Sequence, residues 1–458
     1  MPSGPANGRT SIGVVGLWHL GSVTAACLAE VGNDVIGVDP DPSVVDALAR
    51  GRAPVSEPGL NELVLTQTRA GRLRFSADAQ ELTAARQAWI TFDTPVDEED
   101  QADVDWVLET SLELLAKLAD ETLVIVSSQL PVGSVAALEA RVGEARPDGG
   151  LRFACVPENL RLGQALEAFR APERIVAGVR TERDRAELAA TLAPFASTIE
   201  WMRVESAEMT KHALNGFLAT SVAFINEVAA VCELVGADAA EVSRGLKSER
   251  RIGPRAYLGP GDAFAGGTLA RDVAFLRGLA ERNGLPSHVF TGVAEGNRAH
   301  KQWTRRKLAQ VLGGDARSDE ALAGTTVAVW GLTYKPGTDT LRRSNALELC
   351  DWLSGVGAEV RAHDPAVSVL PAGIGSDVEL FADPLEAARS ADALVIATPW
   401  PEYLEVSPAG VAAAMRRPIV LDPAGFLAAS FQAAAGVVYV RVGTPSLKDA
   451  ADSVSSIP

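Results

Sequence analysis

The chain reads as an α/β protein with two doubly wound parallel sheets joined by a long central helix. Three observations predict this. Short apolar runs closed by turn residues alternate with helical stretches over residues 11–179. The same alternation restarts at Thr325. Between the two, residues 206–235 keep a helical hydrophobic period throughout.

The elements follow in order. Residues 11–16 (SIGVVG) form an apolar strand ending in glycine, LWHLGSVTAACLAEVG a helix, and residues 34–39 (DVIGVD) a second strand. The chain therefore opens on a βαβ unit. Gly16-Leu17-Trp18-His19-Leu20-Gly21 keeps the first and last glycines of a dinucleotide fingerprint, with Trp18 where the second glycine normally lets a pyrophosphate approach. Asp39 closes the second strand 23 residues past Gly16, where ribose hydroxyls are expected. Gly16, Trp18, Leu20, Gly21 and Asp39 are thus candidate dinucleotide contacts, for NAD rather than NADP because no arginine follows Asp39. A tight strand-to-helix turn holding no ligand is the plain alternative. Further strands are expected at 88–93, 122–127, 151–156 and 174–179. Thr94, Pro95 and the loop 127–131, which includes Gln129, stand at strand ends, on the side where such sheets bind ligands.

In the central helix, Met209, Ala213, Phe217, Phe224, Val228, Val231 and Val235 fall on one side at 100° per residue, and Lys211, Asn215 and Asn226 on the other. The apolar side is expected to pack. Ser206 is the expected N-cap, with Glu208 in the first turn, and Gly236 is the expected stop. Lys211 and Asn215, four residues apart, project side by side; taken alone, such a pair also suits a solvated face. A Gly/Pro-rich loop spans residues 257–272, and a second helical run spans 273–301.

From residue 325 the βαβ logic repeats: TTVAVWG, a helix around 346–355, AEVRAHD, then DALVIAT, PIVLD and VVYVR. The chain thus contains two Rossmann-like halves. The first loop of the second half carries Tyr334, Lys335, Arg342 and Arg343, a cationic set suited to a phosphate-bearing ligand. The residues after Lys448 are small and polar, so disorder is expected there.

Composition narrows the function. The chain has 458 residues and 47% hydrophobic content, enough for two or three domains with full cores. A net charge of −17 repels phosphate backbones and argues against a nucleic-acid partner. The four cysteines are widely spaced in apolar stretches and read as buried thiols, with no disulfide framework or metal site. Residues 1–10 lack the apolar segment of a signal peptide, and no unbroken run of 18 apolar residues occurs. A cytoplasmic protein without a membrane partner is expected.

With these segments in place, the sequence resembles the UDP-glucose/GDP-mannose dehydrogenase family over nearly its whole length. The motifs that carry the resemblance are PVSEPGL (54–60), Thr94-Pro95, VPENLRLGQAL (156–166), AEMTKHALNGF (207–217), FINE (224–227), RIG (251–253), PGDAFAGG (260–267), GLTYKPGTDTLRRS (331–344) and HDP (363–365). The resemblance implies an NAD-binding domain over 1–205, a central helical dimerisation domain over 206–302 and a C-terminal nucleotide-sugar-binding domain over 303–458. It places the active site in the cleft between the two Rossmann-like halves. Enzymes of this family oxidise a sugar's primary alcohol to a carboxylate, using two NAD and a cysteine that traps the aldehyde. Here Thr268 stands in that cysteine's place, Leu162 replaces the family's second glutamate, and Gln129 replaces a threonine.

By resemblance, Lys211 and Asn215 stabilise an oxyanion, Asp272 holds a proton-accepting water, and Glu158 and Thr268 complete the catalytic set. Glu158, Arg161, Lys211, Asn215, Arg251, Tyr257, Gly266, Tyr334 and Lys335 meet the nucleotide sugar, with Arg251 reaching across a homodimer. Gln129 and Arg342 join the cofactor contacts. The arginine of the family's DGRN-like motif is absent from Asp422-Pro423-Ala424-Gly425. The expected function is one NAD-dependent alcohol–carbonyl step, or redox-neutral epimerisation, on a nucleotide sugar. The alternative is a non-catalytic binder with a structural or regulatory role.

Overall fold

An eight-stranded sheet organises the N-terminal half of the computed structural model, which describes residues 10–95, 102–147, 149–158, 160–265, 267–312, 319–371 and 377–445. The chain forms two units, residues 1–213 and 214–458. In the first, β1 (Ser11–Val15), β2 (Asp34–Val38), β3 (Leu73–Ser76), β4 (Gln87–Ile90), β5 (Leu123–Val126), β6 (Arg152–Cys155), β7 (Ile175–Val179) and β8 (Ile199–Met202) lie in the order β3-β2-β1-β4-β5-β6-β7-β8. Strand residues alternate between two cores. Ile12, Val14, Trp89 and Ile125 pack on one face, and Val15, Ala88, Ile90, Val124 and Val126 on the other. This is the pattern of a parallel sheet covered by helices on both sides.

The sheet departs from the expected all-parallel form at one place, where β6 and β7 pair antiparallel. Their connection holds only the six-residue helix Ala165–Arg170, which advances the chain about 9 Å. That is too little to return it to the opposite sheet edge, so β7 starts beside the end of β6. The strands β3 and β8, absent from the sequence reading, form the two edges of this sheet.

The second unit carries β9 (Thr326–Trp330), β10 (Glu359–His363), β11 (Val378–Leu380), β12 (Ala393–Ile396), β13 (Ile419–Leu421) and β14 (Val438–Val440), all parallel, in the order β11-β10-β9-β12-β13-β14. The start of this half repeats that of the first. The Gly16 N–H donates to Val38 O (2.9 Å) and the Gly331 N–H to His363 O (2.8 Å), while Leu17 and Leu332 each donate their N–H to the acid closing the next strand, Asp39 and Asp364 (2.6 Å each).

The central helix runs Val204–Val235. It starts before Ser206, which lies within its first turn and is not the N-cap, and it ends at Gly236, whose φ of +77° suits a helix stop. The expected inside and outside are reversed. Phe217 is 68% exposed, and Phe224, Val231 and Val235 are also exposed, whereas Asn215, Ala219, Asn226 and Ala229 are buried. The buried amides are satisfied within the protein: Asn226 donates to Asp262 O (3.2 Å) and accepts from the Gly261 N–H (3.0 Å). Length and composition alone would let this helix cross a bilayer, with a mean hydropathy of 1.6 over 18 residues; in the fold one of its faces buries hydrogen-bonded amides.

The expected helix over 273–301 is two helices, Thr268–Arg282 and His288–Lys301. The chain breaks at Gly284 (φ +69°) and Pro286, which cannot continue a helix. Cys27, Cys155, Cys232 and Cys350 are buried free thiols, and burial pushes Cys27 and Cys350 up to about 12. The residues after Lys448 lie outside the described residues.

Candidate active site

Two glycines shape the turn after β1. Gly16 has φ +86°, and a Cβ there would come within 2.5 Å of the Phe92 ring. At Gly21 a Cβ would lie 1.7 Å from Gly16 O, so only glycine lets the helix His19–Glu30 pack this close. Trp18 stands at the N-cap of that helix with φ −70°, outside the left-handed region that favours glycine, and its side chain is 49% exposed. The turn therefore does not call for a positive φ at this position. Leu20 is buried behind it. Asp39 accepts from Leu17 N–H through Oδ2 and from Asp41 N–H (2.9 Å) through Oδ1, which leaves each oxygen a second lone pair for a ribose hydroxyl. A helix N-terminus beside a carboxylate at the end of β2 fits NAD.

Around the ends of β4, β5 and β6 the candidates come together. Thr94 Oγ1 donates to Gln129 O (2.7 Å), tying the two loops, and Pro95 follows at the surface. Lys211 Nζ donates to Glu158 O (2.6 Å) and stands 3.4 Å from Glu158 Oε1. Glu158 Oε2 accepts the Leu160 N–H (2.7 Å). Arg161, by contrast, is exposed.

Two carboxylates here carry structural work that sequence reasoning gave to neither. Glu208, on the central helix, accepts the N–H groups of Gly133 (2.8 Å) and Val135 (3.0 Å). Burial pushes its carboxyl up, against those two donors. One turn on, His212 bonds Leu130 O (2.8 Å), so the Gln129 loop is held on both sides. Glu57, inside PVSEPGL, meets His19 (3.0 Å) and the N–H groups of Gly163 (2.9 Å) and Ala165 (2.7 Å). The only signal for either was an acid inside an otherwise apolar or turn-forming motif.

In the second unit, Asn215 Nδ2 donates to Asp272 Oδ2, and Asp272 is fully buried. Thr268 opens the helix Thr268–Arg282, one turn before Asp272, so the two side chains share a helix face. Thr268 is exposed. Tyr334, Lys335 and Arg342 share one loop, closed by the Tyr334 N–H on Thr340 O (2.8 Å) and Thr333 Oγ1 on Lys335 O (3.2 Å). Tyr257 is exposed. The Arg251 guanidinium meets Glu249, two residues back (3.0 Å), and is otherwise in solvent. Gly266 lies outside the described residues.

Models of three domains of one family match the chain in order. They are described as the UDP-glucose/GDP-mannose dehydrogenase family's NAD binding domain (residues 10–196), central domain (205–299) and UDP binding domain (328–429). The chain belongs to the UDP-glucose/GDP-mannose dehydrogenase family. Among its relatives, the UDP-glucose 6-dehydrogenase of Pseudomonas aeruginosa is 35% identical, covering 94% of this chain and 97% of its own. That of Rhizobium meliloti is 33% identical over 95% and 99%. A UDP-glucose dehydrogenase structure from Pyrobaculum islandicum superposes with a TM-score of 0.85 at 30% identity, covering 96% of this chain and 100% of that one. As a family member, the chain is an NAD-dependent oxidoreductase acting on the CH–OH of a nucleotide sugar.

Proposed function

We propose that the enzyme performs one two-electron step, alcohol to carbonyl on a nucleotide sugar, or returns the hydride in a redox-neutral epimerisation, and does not make the uronic acid. The observation that carries this reading is Thr268. A thiol at that position ionises near neutral pH and forms a thioester that water can open, and an unassisted hydroxyl does neither. The histidine bonded to the same loop, His300, engages Gly261 O (2.7 Å), seven residues before Thr268.

The remaining groups support a single hydride transfer. NAD, bound along Gly16–Gly21 and Asp39, supplies the hydride acceptor. The Lys211 ammonium and the Asn215 amide stabilise the oxygen as it gains charge. Asp272, paired with Asn215, takes the hydroxyl proton through a water it holds. Glu158 fixes the Lys211 ammonium. Tyr257, Tyr334, Lys335, Arg251 and Gly266 are assigned to the nucleotide, and Thr94, Pro95, Gln129 and Arg342 to the cofactor. The test is to incubate the protein with NAD and a panel of UDP-, GDP-, ADP- and CDP-sugars. We expect at most one NADH per sugar, and a carbonyl product or an isomer by mass spectrometry. Two NADH per sugar with a uronic acid product would overturn the reading.

The exposed apolar stripe on the central helix, Phe217, Phe224, Val231 and Val235 with the 84%-exposed Leu234, is proposed to pair with a second copy about a two-fold axis. Sedimentation equilibrium at micromolar concentration should return a dimer, and the double change Phe217→Asp, Phe224→Asp should return a monomer. A monomeric unmodified protein would sink this assignment, and with it the cross-subunit role of Arg251.

A further inference from the structure

We propose that a pocket in the first unit, behind the helix His19–Glu30, binds a small neutral molecule carrying an oxygen acceptor. The pocket has a volume of about 80 Å³ and is lined mainly by apolar groups, among them Leu20, Val156, Phe169, Leu192 and Phe195. Phe169 and Phe195 meet edge to face at 5.0 Å, giving one wall a fixed shape. Thr24, Trp89, Ser127, Glu158 and Arg174 also line it, and the Ser127 hydroxyl is already spent on Val156 O (2.7 Å). Thr24 and Trp89 are 1% and 2% exposed, and among the described residues neither Thr24 Oγ1 nor Trp89 Nε1 has a hydrogen-bond partner.

Unpartnered buried donors are rare because the desolvation they suffer is not repaid. Two of them lining one apolar pocket make a defined recognition pattern. The indole N–H can only donate, so it requires an acceptor; the threonine hydroxyl can add a second bond in either sense. The apolar wall selects a hydrocarbon body. A neutral ligand is favoured because neither charged residue of the lining supplies a buried free charge: Glu158 is already engaged by Lys211 and the Leu160 N–H, and Arg174 is exposed to solvent. The ligand class is therefore a short ketone, ester or alcohol. The pocket is about half the volume of an engineered cavity that takes benzene, roughly 150 Å³, so the molecule has few heavy atoms. Leu20 and Glu158 place the pocket beside the cofactor turn and the Lys211 contact.

The test uses the full-length protein with ¹⁵N-labelled tryptophan, whose eight indole N–H signals are followed by NMR during titration with 2-butanone, the Trp89 signal being assigned by its loss in Trp89→Phe. The Trp89 N–H signal should move downfield and saturate in the millimolar range. Thr24→Val should weaken the apparent affinity at least threefold. Ala168→Leu, which fills the pocket from the helix Ala165–Arg170, should abolish the movement. No saturable movement means that ordered water alone occupies the pocket and overturns the proposal. So does movement undiminished in Ala168→Leu, which puts the ketone elsewhere, or undiminished in Thr24→Val, which reduces the site to an apolar void. Thr24→Val is nearly isosteric and keeps the test intact if the filled variant fails to fold.

Discussion

Lys211→Ala should lower kcat by about 10²- to 10³-fold, whereas Thr268→Ala should lower it by less than about tenfold. An oxyanion donor in a water-poor site is worth about 3–4 kcal/mol, and a hydroxyl that only packs or bonds weakly about 1 kcal/mol. The structure adds a reason for the asymmetry. Lys211 is largely buried and pinned by the carbonyl and carboxylate of Glu158, so its ammonium is preorganised and its loss leaves those acceptors bare. Thr268 stands exposed at a helix start. Thr268→Cys alone should not yield efficient acid formation, because Leu162 and Gln129 also depart from the family pattern. Steady-state kinetics on whichever nucleotide sugar turns over, with product identity by mass spectrometry, decides the matter. Equal losses in the two alanine variants would remove Lys211 from the oxyanion role, and uronic acid from Thr268→Cys would show the cysteine to be the sole missing part.

Gly21→Ala should destabilise the first unit by about 3 kcal/mol, the upper end of overpacking costs. The added methyl would sit 1.7 Å from Gly16 O and 2.7 Å from Thr91 Oγ1. The first is backbone, fixed by the hydrogen bond from the Gly16 N–H to β2, and the second is pinned by its own bonds to Val15 O and Gly16 O. Neither can step aside. For a unit of this size such a loss lowers Tm by roughly 6–12 °C, and NAD affinity should fall with it because the turn and the helix N-terminus separate. Gly143→Ala is the control: it lies within the helix Ser134–Ala145 and its added methyl meets nothing within 4 Å, so it should hold or raise Tm. Thermal unfolding of the three proteins, with and without NAD, measures both effects. A Gly21→Ala protein that melts with the parent would mean that the turn can open, and that Gly21 is not required there.

Some of this protein was legible in its residues. The glycines at 16 and 21 and the acid at 39 announced the first βαβ unit because turn geometry depends on residues a few positions apart. The repeat at 331 and 364 follows the same local rule. The i, i+4 spacing of Lys211 and Asn215, and threonine in place of cysteine at 268, needed no folding to be seen. Tertiary structure decided the rest, and in each case the missing information was a distant partner. The strands β3, β8 and β11 escaped notice because they are sheet edges, half-covered, and lack the unbroken apolar run of an interior strand. The antiparallel turn into β7 depended on how far six helical residues carry the chain. The central helix shows the limit most plainly. Periodicity establishes that it has two faces, but which face lies inside was set by Asp272 and by the backbone at Gly261 and Asp262, which bond Asn215 and Asn226 from 57, 35 and 36 residues away. Those bonds make a polar face cheaper to bury than an apolar one, and they leave Phe217 and Phe224 facing outward.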